Sequence, residues 1–219
     1  MSAALESKLR AGVQQLGLSL DDSQISLLMG FLDLLQKWNK VYNLTSVRDP
    51  QEMLTHHLLD SLAAVPPLQS YLASRALAAP KLLDVGSGGG LPAVVFAICV
   101  PQLDVSCVDT VGKKVAFIQQ VAASLRLRNL RGIQSRVEQL SQQYDVVSCR
   151  AFAALQDFTA WSAQTLKPDG IWLAMKAKHP EDELAQLPTS VQLLRIEALQ
   201  VPGLDAERCI VWMQHAPAQ

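Results

Sequence analysis

The sequence predicts an α/β fold: a doubly wound, mostly parallel sheet, closed by an antiparallel C-terminal strand pair and preceded by an N-terminal helical cap. Three observations predict it. Apolar residues recur at helical spacing before Pro80, strands and helices alternate after it around a glycine-rich turn, and two strand-like runs joined by Pro202-Gly203-Leu204-Asp205 end the chain. The expected division is a helical cap over 1–80 and a ligand-binding domain over 81–219.

Each element has a local reason. Leu5, Leu9, Val13 and Leu16 share one helical face, which Gly17 interrupts. Ser19 ahead of Asp22 reads as a capping-box-like start to a long amphipathic helix carrying Ile25, Leu28, Met29, Leu32, Leu35 and Trp38. Asp49-Pro50-Gln51-Glu52 is another start, with Asp49 as N-cap, Pro50 in the first turn and Glu52 reaching back. Pro66-Pro67 is expected to end that helix, and a short helix to fill 68–78. Strands are expected near 82–85, 104–108, 131–135, 144–148 and 170–176, and helices near 92–99, 113–125 and 153–166. Lys167-Pro168-Asp169-Gly170 is the turn into the fifth strand, and Val191–Val201 with Arg208–His215 forms the terminal pair.

Composition bounds the function. At 219 residues, 49% apolar and 18% charged, the chain suits one well-cored α/β domain with an appendage. No apolar run reaches the length of a membrane span, and the N-terminal stretch Met1-Ser2-Ala3-Ala4-Leu5-Glu6 lacks the basic and apolar regions of a signal peptide. Cys99, Cys107, Cys149 and Cys209 are scattered without a C-x-x-C pair, so buried free thiols in a reducing cytoplasm are expected rather than disulfides or zinc. Net charge is −1, yet residues 111–150 hold seven basic side chains against two acidic ones. That stretch reads either as a solvated helix face or as a nucleic-acid footprint, with Lys113, Lys114, Arg126 and Arg128 as the candidate RNA contacts.

Residues 82–92, LLDVGSGGGLP, raise the sharpest question. A Walker loop needs Gly-Lys-Ser/Thr, and no Lys or Arg lies between Lys81 and Lys113. A dinucleotide fingerprint needs a third glycine where Leu91 stands. Two acids decide between ligands. Asp84, on the strand and facing the Gly86-Ser87-Gly88 turn, would repel a pyrophosphate but favour an ammonium group. Asp109, ending the second strand, is placed to accept both ribose hydroxyls of an adenosine. Adenosine, an ammonium and no phosphate describe S-adenosylmethionine.

The sequence resembles the bacterial small-subunit ribosomal RNA methyltransferase G family, also called glucose-inhibited division protein B, over nearly its whole length. The resemblance rests on Trp38-Asn39-Lys40-Val41-Tyr42-Asn43-Leu44-Thr45-Ser46, His56-His57-Leu58-Leu59-Asp60-Ser61, the loop from Asp84 to Pro92, Gly112-Lys113-Lys114-Val115-Ala116-Phe117, Ser135-Arg136-Val137-Glu138 and Ser148-Cys149-Arg150-Ala151-Phe152-Ala153. Gly89, Ala93 and Thr110 depart from its pattern. The resemblance implies a class I, Rossmann-like methyltransferase domain over 81–219 that methylates N7 of one guanine in 16S ribosomal RNA. It also implies cofactor contacts at Gly86, Leu91, Val137, Glu138 and Arg150. The residues agree with these roles: Val137-Glu138 follows the third strand, and Arg150 closes the fourth, where a guanidinium needs an anion such as the cofactor carboxylate or an RNA phosphate.

N7 of guanine carries a lone pair and no proton, so no general base and no metal are expected, only in-line placement. Cys149 as a nucleophile and His56 with Asp60 as metal ligands are the less favoured readings, packing and a helix-to-domain hydrogen bond the favoured ones. Lys40 and Asn43 are candidate substrate contacts. N7 in duplex RNA lies in a groove that protein cannot enter, so the target guanine must be unpaired or remodelled. The low net charge suggests a folded small subunit, an assembly intermediate or another large RNA as substrate rather than any single strand. A cytoplasmic location and no membrane partner are expected, and of the oligomeric states a monomer is favoured. A small-molecule methyltransferase would lack the basic stretch, a non-catalytic RNA-binding factor would have lost Asp84, Gly86, Gly88 or Asp109, and a nicotinamide oxidoreductase is opposed by Leu91 and Asp84.

Overall fold

The computed structural model describes residues 3–217, leaving Met1 and Ser2 of the N-terminal stretch outside the described residues. Seven strands form one sheet in the order β3-β2-β1-β4-β5-β7-β6. The first five are β1 (Lys81–Val85), β2 (Asp104–Asp109), β3 (Leu130–Gln134), β4 (Tyr144–Arg150) and β5 (Leu166–Lys176), paired in parallel. β6 (Val191–Ala198) and β7 (Cys209–His215) add the expected antiparallel pair. β1 is followed by α6 (Ala93–Cys99), β2 by α7 (Gly112–Ser124) and β4 by α8 (Leu155–Ser162). The strand order reverses between β1 and β4, and at such a point a crevice opens beyond the carboxyl ends of the strands.

Ahead of the sheet come α1 (Ala3–Gln15), α2 (Asp22–Tyr42), α3 (Pro50–Met53), α4 (Asp60–Ala63) and α5 (Val65–Ser74). The α2 cap differs from the expected one. Asp21, not Ser19, is the N-cap: its side chain accepts from the Gln24 N–H at 2.8 Å, and Gln24 accepts from the Asp21 N–H at 3.1 Å. Asp49 caps α3 as expected, accepting from the N–H groups of Gln51 and Glu52 at 2.9 and 3.0 Å. The helical run that Asp49 starts ends at Ala63, just ahead of Pro66-Pro67 as expected, and the next helix starts at Val65 rather than at 68. Both prolines sit in the first turn of α5, where an N–H has no intrahelical acceptor and its loss costs nothing. Between α3 and α4, Leu54–Leu59 is a π-helical turn, a rare widening common at functional sites.

Alternation along the strands builds a core on each face. Leu82, Val146, Ile210 and Trp212 point to the face covered by α1, α2 and α6, while Leu83, Val147, Val211 and Met213 meet Leu155 and Phe158 of α8. Leu28, Phe31, Leu32 and Leu35 of α2 are fully buried in the same cluster as Phe96 of α6 and Phe117 of α7. All four cysteines are free and buried. Among the described residues, no helix is long and apolar enough to cross a membrane. β6 is an outer strand, and its register with β7 shifts between Leu193 and Arg195.

Because this core is continuous from α1 to the sheet, Leu32→Ala is expected to destabilise the whole chain by about 2–5 kcal/mol, in a single urea transition followed by circular dichroism. Two separate transitions would show instead that the N-terminal helices unfold on their own.

Candidate active site

The chain turns sharply after β1. Gly86, Gly88 and Gly90 have φ values of 67°, 55° and 78°, a region where side chains are strained. The Gly86 N–H donates to the Val108 carbonyl at 2.9 Å, and the Ser87 hydroxyl donates to the Asp84 carbonyl at 2.8 Å. Space beside Gly88 is open: the nearest atom to an added Cβ is the Gly86 carbonyl oxygen at 3.8 Å. The loop therefore presents bare backbone to the crevice.

Asp84 and Asp109 flank this loop in different states. Asp84 is fully buried; its Oδ1 accepts from the Ser148 hydroxyl at 2.8 Å, and its Oδ2 has no partner. Burial pushes this carboxyl up to about 7, against the opposing hydrogen bonds from Ser148 and Ser87. Asp109 is anchored by the protein and keeps acceptor capacity free. It accepts from the Gly88 N–H at 3.2 Å and the Val111 N–H at 2.9 Å, and Lys114 Nζ lies 3.4 Å away. These contacts fix the carboxylate at the end of β2.

Two cavities open at the carboxyl edge. The smaller, about 510 Å³, is lined by Asp109, Ser135, Val137, Glu138, Phe152 and Trp161. The larger, about 730 Å³, is lined by Gly86, Ser87, Gly88, Leu91, Arg150 and the loop Leu44-Thr45-Ser46. They share Gly86, Lys114 and Ala151. Eight of the nine candidate cofactor residues line these two cavities; the ninth, Asp84, is buried beneath the loop and lines neither.

Arg150 meets an anion that the sequence did not reveal. Its Nη1 donates to Asp60 Oδ2 at 2.8 Å and to the His56 carbonyl at 3.1 Å. Asp60 Oδ1 accepts from Arg208 Nε at 2.7 Å, so both oxygens of this carboxylate, weighed above as a metal ligand beside His56, are taken by arginines. His57 is buried, with Nε2 2.8 Å from the Thr45 hydroxyl and Nδ1 unpartnered. Burial first, then the charge of Arg150, pushes its imidazole down to about 4, so it is neutral at pH 7. Burial raises the Cys149 thiol far above neutral pH, which removes it as a nucleophile.

The basic stretch is contiguous in sequence but not in space. Lys113 and Lys114 begin α7 at the carboxyl edge, whereas Arg126 and Arg128 lie in the turn before β3, at the opposite edge. A helix of 13 residues, roughly 20 Å, separates them. Arg131 pairs with Asp104, Lys114 with Asp109 and Arg150 with Asp60. Lys40 is exposed, and Asn43 is the left-handed C-cap of α2, accepting from Arg48 at 3.3 Å; neither is among the residues that line these two cavities. Sequence reasoning missed Lys176, Lys178 and Arg208, which bring positive charge to the larger cavity from the ends of β5 and β7. Only tertiary pairing reveals them: Arg208 and Asp60 are 148 residues apart.

A family model described as rRNA small subunit methyltransferase G matches residues 24–211. The ribosomal RNA small subunit methyltransferase G of Acidovorax sp. (strain JS42) is 65% identical over 218 residues, covering 97% of this chain and 96% of the relative. Among solved structures, the N-methyltransferase NodS from Bradyrhizobium japonicum WM9, in complex with S-adenosyl-L-homocysteine, superposes with a TM-score of 0.59 at 12% identity. That match covers 83% of this chain and 100% of the other. Magnesium protoporphyrin IX methyltransferase from Synechocystis PCC 6803, with bound SAM, gives 0.58 at 15% identity over 90% and 98%. These two likenesses concern the fold, a mostly parallel Rossmann-like sheet.

The buried Asp84 makes stability depend on pH. With its carboxyl near 7 when folded and near 4 when unfolded, the folded chain binds more protons between those values, so stability falls as pH rises across that window. Asp84→Asn removes the effect. Relative to the parent, the variant is expected to gain on the order of 2–3 kcal/mol between pH 5 and pH 8 in urea denaturation. Parallel pH profiles for the two proteins would show that Asp84 is ionised throughout.

Proposed function

This chain belongs to the rRNA small subunit methyltransferase G family, and we propose from its cleft how it uses S-adenosylmethionine to methylate N7 of one guanine in 16S ribosomal RNA. The observation that carries the proposal is the pairing of a bare glycine loop, with Asp84 buried beneath it, and a carboxylate fixed at the end of the adjacent strand. The residues fit the cofactor. The unpartnered Asp84 Oδ2 calls for a cation or donor, the open face of Gly88 admits close backbone approach, and Asp109 offers its remaining lone pairs to ribose hydroxyls. Val137, Glu138, Phe152 and Trp161 would hold the adenine end, and Gly86, Ser87, Leu91 and Arg150 the amino-acid end.

When bound, S-adenosylmethionine supplies an electrophilic methyl group. The chain's own part is placement. Guanine N7 needs no proton removed, and the cleft supports a reaction without a base. Asp60 is committed to two arginines; Glu183 is committed to Lys176 at 2.7 Å and to the Leu155 N–H at 2.7 Å. Lys114, Arg150, Lys176, Lys178 and Arg208 outnumber those two acids around the larger cavity. A cationic mouth of this kind suits the phosphates beside an unpaired guanosine. Lys113 lies at the same edge and is the member of the basic stretch best placed to extend it; Arg126 and Arg128 are not. We further propose that the protein acts as a cytoplasmic monomer on the small subunit or an assembly intermediate, since a net charge of −1 suits a structured substrate better than any single strand.

The direct experiment is methyl transfer from labelled S-adenosylmethionine to small subunits and to bare 16S ribosomal RNA, with the modified base mapped. One N7-methylguanine is the expected product, and a methyl group on any other atom would overturn the proposal. Asp109→Ala is expected to weaken cofactor binding by about 1.5–3 kcal/mol by calorimetry, the worth of hydrogen bonds to a charged group. Lys113→Glu is expected to lower RNA affinity and its salt slope, with Arg128→Glu close to wild type in the same filter-binding assay.

A further inference from the structure

Phe152 lines the smaller cavity, beside the Ala151 and Gly86 that both cavities share. A Cβ added at Gly86 would overlap the Phe152 ring, so the ring lies flush against the bare Cα of the loop glycine that both cavities share. The ring is half-buried and meets the exposed Trp161 edge-on, with centroids 5.9 Å apart. Immediately before it, Ala151 has a φ of 51°, a left-handed conformation unfavourable for any residue with a Cβ. The turn is anchored on both sides. Arg150 is held by Asp60 at 2.8 Å; the Ala153 carbonyl accepts from Lys176 at 3.0 Å, and the Leu155 N–H donates to Glu183 at 2.7 Å. Between the anchors at Arg150 and Ala153 lie Ala151 and Phe152.

A ligand with adenosine in the smaller cavity and an amino-acid end in the larger one must pass Gly86, and the Phe152 ring packs against that glycine from the smaller cavity's side. Resting on the reading of the cleft as the S-adenosylmethionine site, we propose that Phe152 is a gate: its ring must leave Gly86 before the two cavities become one. The strained Ala151 belongs to the closed position, and opening relaxes it. Closed chains do not bind, so the observed association rate is reduced by the fraction of chains that are open.

The test is rapid mixing of the full-length protein with S-adenosylhomocysteine, read by tryptophan fluorescence, for the parent, Phe152→Ala and Ala151→Gly. Phe152→Ala removes the ring and is expected to raise the association rate about tenfold. Ala151→Gly removes the strain from the closed position and is expected to slow association several-fold, the opposite of what general loosening of the turn would do. A Phe152→Ala rate less than threefold above the parent overturns the gate, and so does acceleration by both variants. Calorimetry on the same proteins separates the two levels of inference. If none of them binds S-adenosylhomocysteine, the reading of the cleft fails; if they bind but the rates do not move, only the gate fails.

Discussion

Removing a carboxylate from water costs several kcal/mol unless cations replace the lost hydration. Asp60 is only 3% exposed, and two guanidinium groups replace that hydration from opposite sides. One arginine closes β4, the other enters β7, and the carboxylate itself follows the π-helical turn. Three stretches remote in sequence thereby meet at one point on the rim of the larger cavity. Loss of either arginine would leave a buried charge underpaired, so the N-terminal helices cannot drift from the sheet edge without a heavy penalty. The rest of the site takes its shape from this junction, including the His56 carbonyl on Arg150 and the Thr45 hydroxyl on His57.

The glycine turn and its two acids divide the remaining work. Asp109 is ordered before any ligand arrives, because two backbone N–H groups and Lys114 hold it. Asp84 is left half-satisfied, with one oxygen on Ser148 and one on nothing. A buried acceptor without a partner is a standing energetic cost, and proteins retain such costs where a ligand relieves them. One carboxylate is therefore fixed by the protein on both oxygens, and the other keeps a buried oxygen without a partner.

Much of this was legible in the sequence. Strand–helix alternation, the Gly86-Ser87-Gly88 turn and Asp109 at a strand end are local patterns, and local patterns place the sheet and the loops at its carboxyl edge. The errors were of two physical kinds. Ser19 looked like the cap of α2 because its hydroxyl precedes Asp22, yet the Asp21 carboxylate takes the cap with Gln24 reaching back. The run from Lys113 to Arg150 looked like one patch because charge was counted along the chain. Helix α7 then carried Arg126 and Arg128 to the far edge, and acids took up Lys114, Arg131 and Arg150. Arg208 and the Phe152–Trp161 pair had no local signature, since their meaning arises only from partners distant in the chain.

The displaced register between Leu193 and Arg195 has a consequence for how the molecule behaves in a crowd. β6 is the last strand of its side of the sheet, with Leu193 and Leu194 roughly two-fifths exposed, a combination that invites a second chain to add its own strand. The irregularity twists the strand and breaks the even spacing of free N–H and C=O groups that edge-to-edge pairing would need. Arg195, lying over the Trp212 ring at 4.2 Å, puts a charge on the same stretch. The sheet thus carries its own terminator, which keeps a sticky border from becoming a template for aggregation.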